Sequence, residues 1–231
     1  MRLGLQQPYF FPYLGYYQLL LAVDRFVAYD DVAWIKGGWI NRNRLLADGR
    51  PAWFTVPTRG ASPRVPLDAV EVGGGPWREK MLRRFEESYA HAPYRQAVMP
   101  LLERALAGSS ALVADLAVAS LEAVRDYLGY TIPIYRARGR YQESGARGQE
   151  RVIAICRAEG ASEYLNAIGG SVLYSRHDFQ SAGIALRFLR GSLPAYRQGD
   201  TQFEPGLSIL DTLMHNSIEQ ARGMMNAYKI V

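Results

Sequence analysis

The sequence predicts an α/β fold, a mainly parallel sheet flanked by helices and carrying a helical insertion. Three observations support this. A strand, a helix and a second strand follow one another within the first thirty residues; Trp77 to Leu128 switch to helical periodicity; and the last third returns to alternating helices and short β-rich runs. The 231 residues are 48% hydrophobic and 21% charged, with 22 Gly and 12 Pro, which suits a buried core and excludes collagen-like or disordered chains. Single cores extend to roughly 250 residues, so one domain over 1–231 is expected, with 77–130 as a helical lobe within it.

In order, Arg2 to Gln6 reads as a strand, and Pro8 and Pro12 bracket the aromatic loop Tyr9-Phe10-Phe11. Leu14, Tyr17, Leu20 and Leu21 fall at helical spacing, and Phe26 to Tyr29 form a second strand halted by Asp30-Asp31. The two strands of such a unit are parallel, with the ligand site at their carboxyl ends. That places Gln7 to Tyr16 and Asp30-Asp31 on one edge. Trp34 to Arg44 reads as a ligand-facing loop, Trp53 to Val56 as a strand ended by Pro57, and Val65 to Val72 as a weaker strand, these completing most of the first half of the sheet.

Helices are expected over 77–90, 94–107 and 110–128, with Ser109 or Ser110 as N-cap and Gly129 just beyond the last one. Ile132 to Tyr135 is an edge strand or strand start because of Pro133, and Arg136 to Gly148 reads as a mobile loop. A helix over 148–158, a strand from Glu163 to Asn166, a turn at Gly169-Gly170, a short helix over 171–181 and a strand from Ile184 to Leu189 follow. Helical stretches over 207–214 and 216–224 close the chain.

The lone Cys156 excludes a disulfide framework and multi-cysteine metal sites, and it lies in an apolar helical run that predicts a buried, inert thiol. The start of the chain passes directly into Gln6-Gln7-Pro8 without the apolar stretch of a signal peptide, and no run approaches the roughly 20 residues that cross a bilayer. A cytoplasmic protein without membrane insertion is therefore expected. The net charge of +5 comes almost entirely from arginine, which suits phosphate or carboxylate ligands. The charges alternate in sign along helices and form no basic stripe with aromatics, so nucleic acid is not an expected partner. His91, His177 and His215 lack metal-ligand spacing, and no GxSxG elbow occurs.

Five groups of residues could carry chemistry. Gln7, Tyr13, Gly15 and Tyr16 lie where a strand meets a helix, whose free N–H groups and glycine admit an anion; the plain alternative is core packing. Asp30 and Asp31 could hold Mg²⁺, bind a substrate ammonium or act as a general base, or simply form a solvated turn that caps the next element. Lys36 with Trp39, Asn41, Arg42 and Arg44 combines anion donors with stacking surfaces. Gln149 and Glu150 join Asn166, Gly169, Gly170 and Tyr174 as a candidate ligand loop, although the pattern is neither a P-loop nor GxGxxG. Ser208, Asp211 and Thr212 share one helix face.

Gln7 to Tyr16, Tyr29-Asp30-Asp31-Val32, Gly38 to Arg44, Gly148-Gln149-Glu150-Arg151, and Ile168-Gly169-Gly170 with Tyr174 together resemble the WbqC-like protein family. The resemblance runs from end to end. It implies association with bacterial O-antigen and other surface-polysaccharide pathways, and a glycyl-transfer role on a sugar amine or hydroxyl; it assigns no catalytic residue. A more distant similarity of layout links Pro12 to Tyr16 and the following helix and strand to the HxGH nucleotidyltransferase superfamily, with Tyr13 and Tyr16 where the histidines stand. Tyrosine cannot serve as the cation those histidines supply.

The expectation is thus a transferase acting on a sugar or sugar nucleotide. Asp30, Asp31 and Lys36 are the catalytic candidates and the other named residues bind substrate. ATP with Mg²⁺ is the cofactor the nucleotidyltransferase-like layout would imply, and the residues themselves name none. The competing reading is a non-catalytic nucleotide- or glycan-pathway binding protein.

Overall fold

In the computed structural model, which describes residues 1–108, 110–141 and 145–231, strand β1 (Arg2–Gln6) crosses through helix α1 (Leu14–Leu21) to strand β2 (Arg25–Ala28), and the two strands pair in parallel. Strand β1 is central and buried on both faces, as a near-continuous apolar run in a parallel sheet should be. Gly4 interrupts it for a packing reason: a Cβ there would come 3.2 Å from Phe26 and Val23.

The hairpin β3 (Arg42–Ala47) and β4 (Arg50–Thr55) turns at Asp48-Gly49, both with positive φ, as a two-residue turn of that handedness requires. It stands apart from the main sheet, as does the short pair β5 (Thr58–Arg59) and β6 (Glu71–Val72). The expected Val65 to Val72 strand shrinks to β6, because Leu67–Ala69 form a 3-10 turn; the expected loop through Arg44 shortens, because Arg42 and Arg44 belong to β3. None of these strands joins the sheet as the sequence reading had it.

Helices α2 (Trp77–Ser88), α3 (Arg95–Ala107) and α4 (Val113–Tyr127) follow, each burying one apolar stripe. The residue at the N-cap of α4 is Leu112; Ser110 instead accepts the Leu112 N–H at 3.2 Å and hydrogen-bonds Asp115 at 2.9 Å. The alternative cap, Ser109, lies outside the described residues, as do 142–144 of the expected mobile loop.

Strand β7 (Ile134–Arg136) takes the edge beside β2. Helix α5 (Gly148–Ala158) leads to β8 (Glu163–Ala167), then a 3-10 turn (Ile168–Leu173), α6 (Arg176–Ser181) and β9 (Ala185–Gly191). Helices α7 (Ile209–His215) and α8 (Ile218–Met225) precede β10 (Tyr228–Ile230), an antiparallel strand the sequence reading did not include. The six-stranded order is β10-β9-β8-β1-β2-β7, parallel except at β10, so the structure is a mainly parallel α/β sheet flanked by helices. One core layer joins α1 to α2, α3, α4, α7 and α8; the other packs α5 and α6 against Leu3, Leu5 and Tyr164. Among the described residues, no helix is long and apolar enough to cross a membrane.

Candidate functional site

Strands β1 and β8 are neighbours, but the chain leaves them in opposite directions. From β1 it passes through α1, on one face, to β2; from β8 it passes through α6, on the other face, to β9. Such a reversal of strand order opens a crevice at the carboxyl ends, where ligands of open α/β sheets bind. A cleft of about 820 Å³ lies there, walled by Gln6 and Gln7 at the end of β1, Asn166 to Gly170 at the end of β8 and beyond it, and Gly191, the last residue of β9, among others.

The cleft therefore brings together Gln7, Tyr13, Gly15, Trp39, Arg44, Asn166, Gly169, Gly170 and Tyr174, segments far apart in sequence. The loop that carries its aromatic wall contains one strained residue, held in place by side chains. Phe11 adopts φ 42°, a left-handed conformation uncommon for a bulky residue, and three side chains hold it: Ser120 Oγ accepts its N–H at 3.0 Å, while Asn43 Nδ2 and Ser208 Oγ both donate to its carbonyl at 2.8 Å. Tyr13 lies over the first turn of α1, so that a Cβ on Gly15 would fall 2.5 Å from its ring. No side chain caps that turn. The Tyr16 N–H closes on the Tyr13 carbonyl at 3.0 Å, which leaves the N–H groups of Leu14 and Gly15 as the ones with no intrahelical acceptor.

Several polar atoms at the cleft lack partners. Gln6 Oε1, Gln18 Oε1 and Arg44 Nε are buried without a hydrogen bond among the described residues. Gln18 is fully buried and its orientation is fixed, because Nε2 donates to the carbonyls of Ser192, Met224 and Ala227 at 2.7, 2.8 and 3.2 Å. Arg44 is loosely engaged, 3.6 Å from Glu204 and 3.5 Å from the Gly206 carbonyl. Asn166 is oriented by Tyr164 Oη at 2.9 Å and the Ala167 N–H at 2.6 Å. Arg44 is the one charged side chain in the described lining, which includes no carboxylate, histidine, lysine or cysteine. The phenols of Tyr9, Tyr13 and Tyr29 have pKa values raised first by burial, so they stay protonated and neutral.

The remaining sequence candidates lie outside the lining. Asp30 is fully buried; its carboxylate pairs with Arg136 and accepts the Arg138 N–H at 2.9 Å, which ties the end of β2 to that of β7. Asp31 pairs with Arg151, whose guanidinium also sits 5.1 Å from the Tyr29 ring centroid. Lys36 and Glu150 are exposed. Asn41 donates to the Val56 carbonyl at 2.8 Å, and Arg42 caps the Gly37 and Gly38 carbonyls while stacking on Trp53 at 4.4 Å. Tyr16 is buried and donates to the Gln7 carbonyl at 2.8 Å; burial first holds its phenol pKa well above normal. Gln149 bridges Asp178 and the Ser175 N–H, and Ser208 is the Phe11 clamp.

Asp211 is likewise buried, accepting from Tyr196 Oη and Gln198 Nε2 at 2.7 Å each and from Tyr89 Oη at 2.9 Å. Its role is to hold the strap between β9 and α7. Cys156 is buried as expected, and burial pushes its thiol up to about 12.

Sequence reasoning missed Gln6, Gln18, Asn43, Gly191 and Leu193 as lining residues. Asn43 stands inside an already suspected motif, and Gln18 carries a readable signal: an amide amid the apolar run of α1, fully buried, needs partners. Gly191 gives no local signal, since what it accommodates is the Gln18 carbonyl, 2.1 Å from where a Cβ would lie.

The model of the WbqC-like protein family matches residues 7–223. The uncharacterized protein Rv1507c of Mycobacterium tuberculosis is 27% identical over 226 residues, covering 94% of this chain and 95% of its own length. No solved structure matches the chain.

Proposed function

The chain belongs to the WbqC-like protein family, and on that premise we propose that it is a transferase of bacterial surface-polysaccharide biosynthesis, moving an acyl group such as glycyl from an activated donor onto a sugar or sugar nucleotide. The observation that carries this reading is the make-up of the cleft. Tyr9, Tyr13, Trp39 and Tyr174 offer faces on which a sugar ring can lie, while Gln7, Gln18 and Asn166 offer amides suited to hydroxyl groups. Arg44, with an unsatisfied Nε and the uncapped first turn of α1 on the same cleft, supplies donors for a phosphate or carboxylate.

In that reaction the acceptor's nitrogen or oxygen attacks the acyl carbonyl, the bond to the activating group breaks, and the acceptor's proton leaves with that group or passes to solvent. The chain's contribution is to orient both partners and shield them from water. A phosphate of ATP would fit Arg44 and α1, but the described walls supply no carboxylate for Mg²⁺. Asp30 and Asp31 act in this reading as positioning residues, Asp30 fixing the strand ends and Asp31 holding Arg151 against Tyr29, while the exposed Lys36 lies outside the lining.

One observation favours a second reading, a non-catalytic glycan-pathway binder: the described lining includes no group that titrates near neutral pH. Mass spectrometry of surface glycans from a deletion strain separates the two when combined with calorimetry of the purified protein against sugar nucleotides. Loss of an acyl substituent with saturable binding supports transfer. Saturable binding with intact glycan acylation supports the binder, and no binding of any sugar or sugar nucleotide contradicts both.

A further inference from the structure

Beside the aromatic faces already assigned to a sugar ring, the mouth of the cleft exposes aliphatic side chains that sugar stacking does not account for. Val172 and Leu173, adjacent on the 3-10 turn after β8, are 89% and 67% exposed. Leu173, Trp39, Tyr13 and Leu193 line the cleft while remaining exposed, and Ile35 and Trp53 extend the patch, Trp53 lying 5.3 Å from the Trp39 ring. Contiguous exposed apolar surface around a binding cleft marks an interaction site.

The segments that build the mouth are biased toward basic residues, with Glu204 beside Arg44 and Asp31 on Arg151 as acidic neighbours. Nearly all of the lining comes from stretches without any Asp or Glu: 1–23, 32–47, 164–177 and 179–199. These stretches carry Lys36, Arg42, Arg44, Arg176, Arg187 and Arg190 among their basic residues. Elsewhere the chain mixes signs, so its net charge of +5 is unevenly distributed in sequence. Protruding aliphatic and tryptophan side chains beside acid-free basic segments are what an interfacial protein presents to anionic lipid, where the apolar tips enter the headgroup boundary and the cations remain among the phosphates.

We propose that the cleft opens onto an anionic membrane surface, and that its substrate is presented from that surface as a lipid-linked, phosphate-bearing sugar. This rests on the reading of the cleft as a sugar site. It adds peripheral docking, with Val172, Leu173 and Ile35 as the inserting contacts and Arg44 meeting the substrate's phosphate.

Co-sedimentation with vesicles tests it without requiring turnover. The full chain should sediment with vesicles of mixed phosphatidylglycerol and phosphatidylcholine, not with phosphatidylcholine alone, and should be released by high salt. Val172→Asp and Ile35→Asp, both on exposed positions outside the lining, should each lower partitioning at least fivefold while leaving calorimetric binding of soluble sugar nucleotides unchanged. Gln7→Ala should do the reverse, so a failed sugar site and a failed docking surface give different results. Absence of vesicle binding, equal binding to neutral vesicles, or indifference to both Asp substitutions would overturn the proposal. So would a wild-type dimer that Val172→Asp makes monomeric with no vesicle binding, since a second copy would then cover the patch.

Discussion

The cleft and the ionic cluster at the ends of β2 and β7 are both polar, but they are built oppositely. In the cluster, Asp30 and Asp115 share Arg136, Arg138 lies 3.6 Å from Asp115, and Asp30 also takes a backbone N–H, so the carboxylates are largely satisfied within the fold. In the cleft the polar groups are mostly amides, and three buried atoms there lack any partner. Unpartnered buried atoms occur elsewhere too, Arg136 Nη2 in the cluster and Asp31 Oδ1 beside it among them, but those of Gln6, Gln18 and Arg44 share one concave space, where a ligand can meet them, whereas the cluster's carboxylates already hold partners. Asp30, a catalytic candidate from sequence spacing, is tied into the fold by Arg136, while the buried amides of Gln6 and Gln18, which were not candidates, face the open space.

Substitutions can break this contrast. The largest effect falls on Asp30→Ala, which leaves the partly buried Arg136 with only Asp115; about 3–5 kcal/mol of stability should be lost in denaturant unfolding. Asp211→Asn turns an acceptor of three hydrogen bonds into a group with a misplaced donor and should cost about 2 kcal/mol, with the strap from Tyr196 to Gln198 losing hydrogen-exchange protection first. If either variant folded as stably as wild type, these carboxylates would have to be reconsidered as site groups.

Arg44→Ala should reverse the pattern. Its ion pair with Glu204 is long and partly exposed, so stability should change by less than about 1 kcal/mol, while affinity for a phosphorylated sugar falls at least about tenfold. The smallest effect is a pH dependence at His215. Burial lowers its pKa below the ordinary 6.5, opposed by the nearby Asp211 charge, so the folded state favours the neutral ring. That contribution is complete above about pH 6.5 and fades as pH falls toward the folded-state pKa. His215→Gln should flatten the melting temperature between about pH 7 and 5.5, and an unchanged slope would refute the assignment.

The parallel sheet was legible because its strands are short apolar runs between helices of clear periodicity, and because the β1-α1-β2 unit is local. The β3 and β4 hairpin was less so: Asp48-Gly49 is a strong turn signal, but the alternating Arg and Asn of β3 resemble a ligand loop. Tyr13, Gly15 and Asn166 could be read because strand ends of such folds hold ligands. The ion pair of Asp30 could not be read because its partner, Arg136, is 106 residues away, and no local pattern reveals an ion pair formed by tertiary folding. Gly191 stayed hidden for the same reason, since what it makes room for is the Gln18 carbonyl from distant α1; the buried amide of Gln18 was itself legible, but its partners were not.

Calorimetric titration of wild type, Arg44→Ala and Arg151→Ala with a panel of phosphorylated sugars and sugar nucleotides tests the location of the site most directly. Saturable binding that survives Arg151→Ala and weakens at least tenfold in Arg44→Ala is the expected result. Binding that survives Arg44→Ala and disappears in a folded Arg151→Ala protein would place the ligand beside Asp31 and contradict the assignment of the cleft.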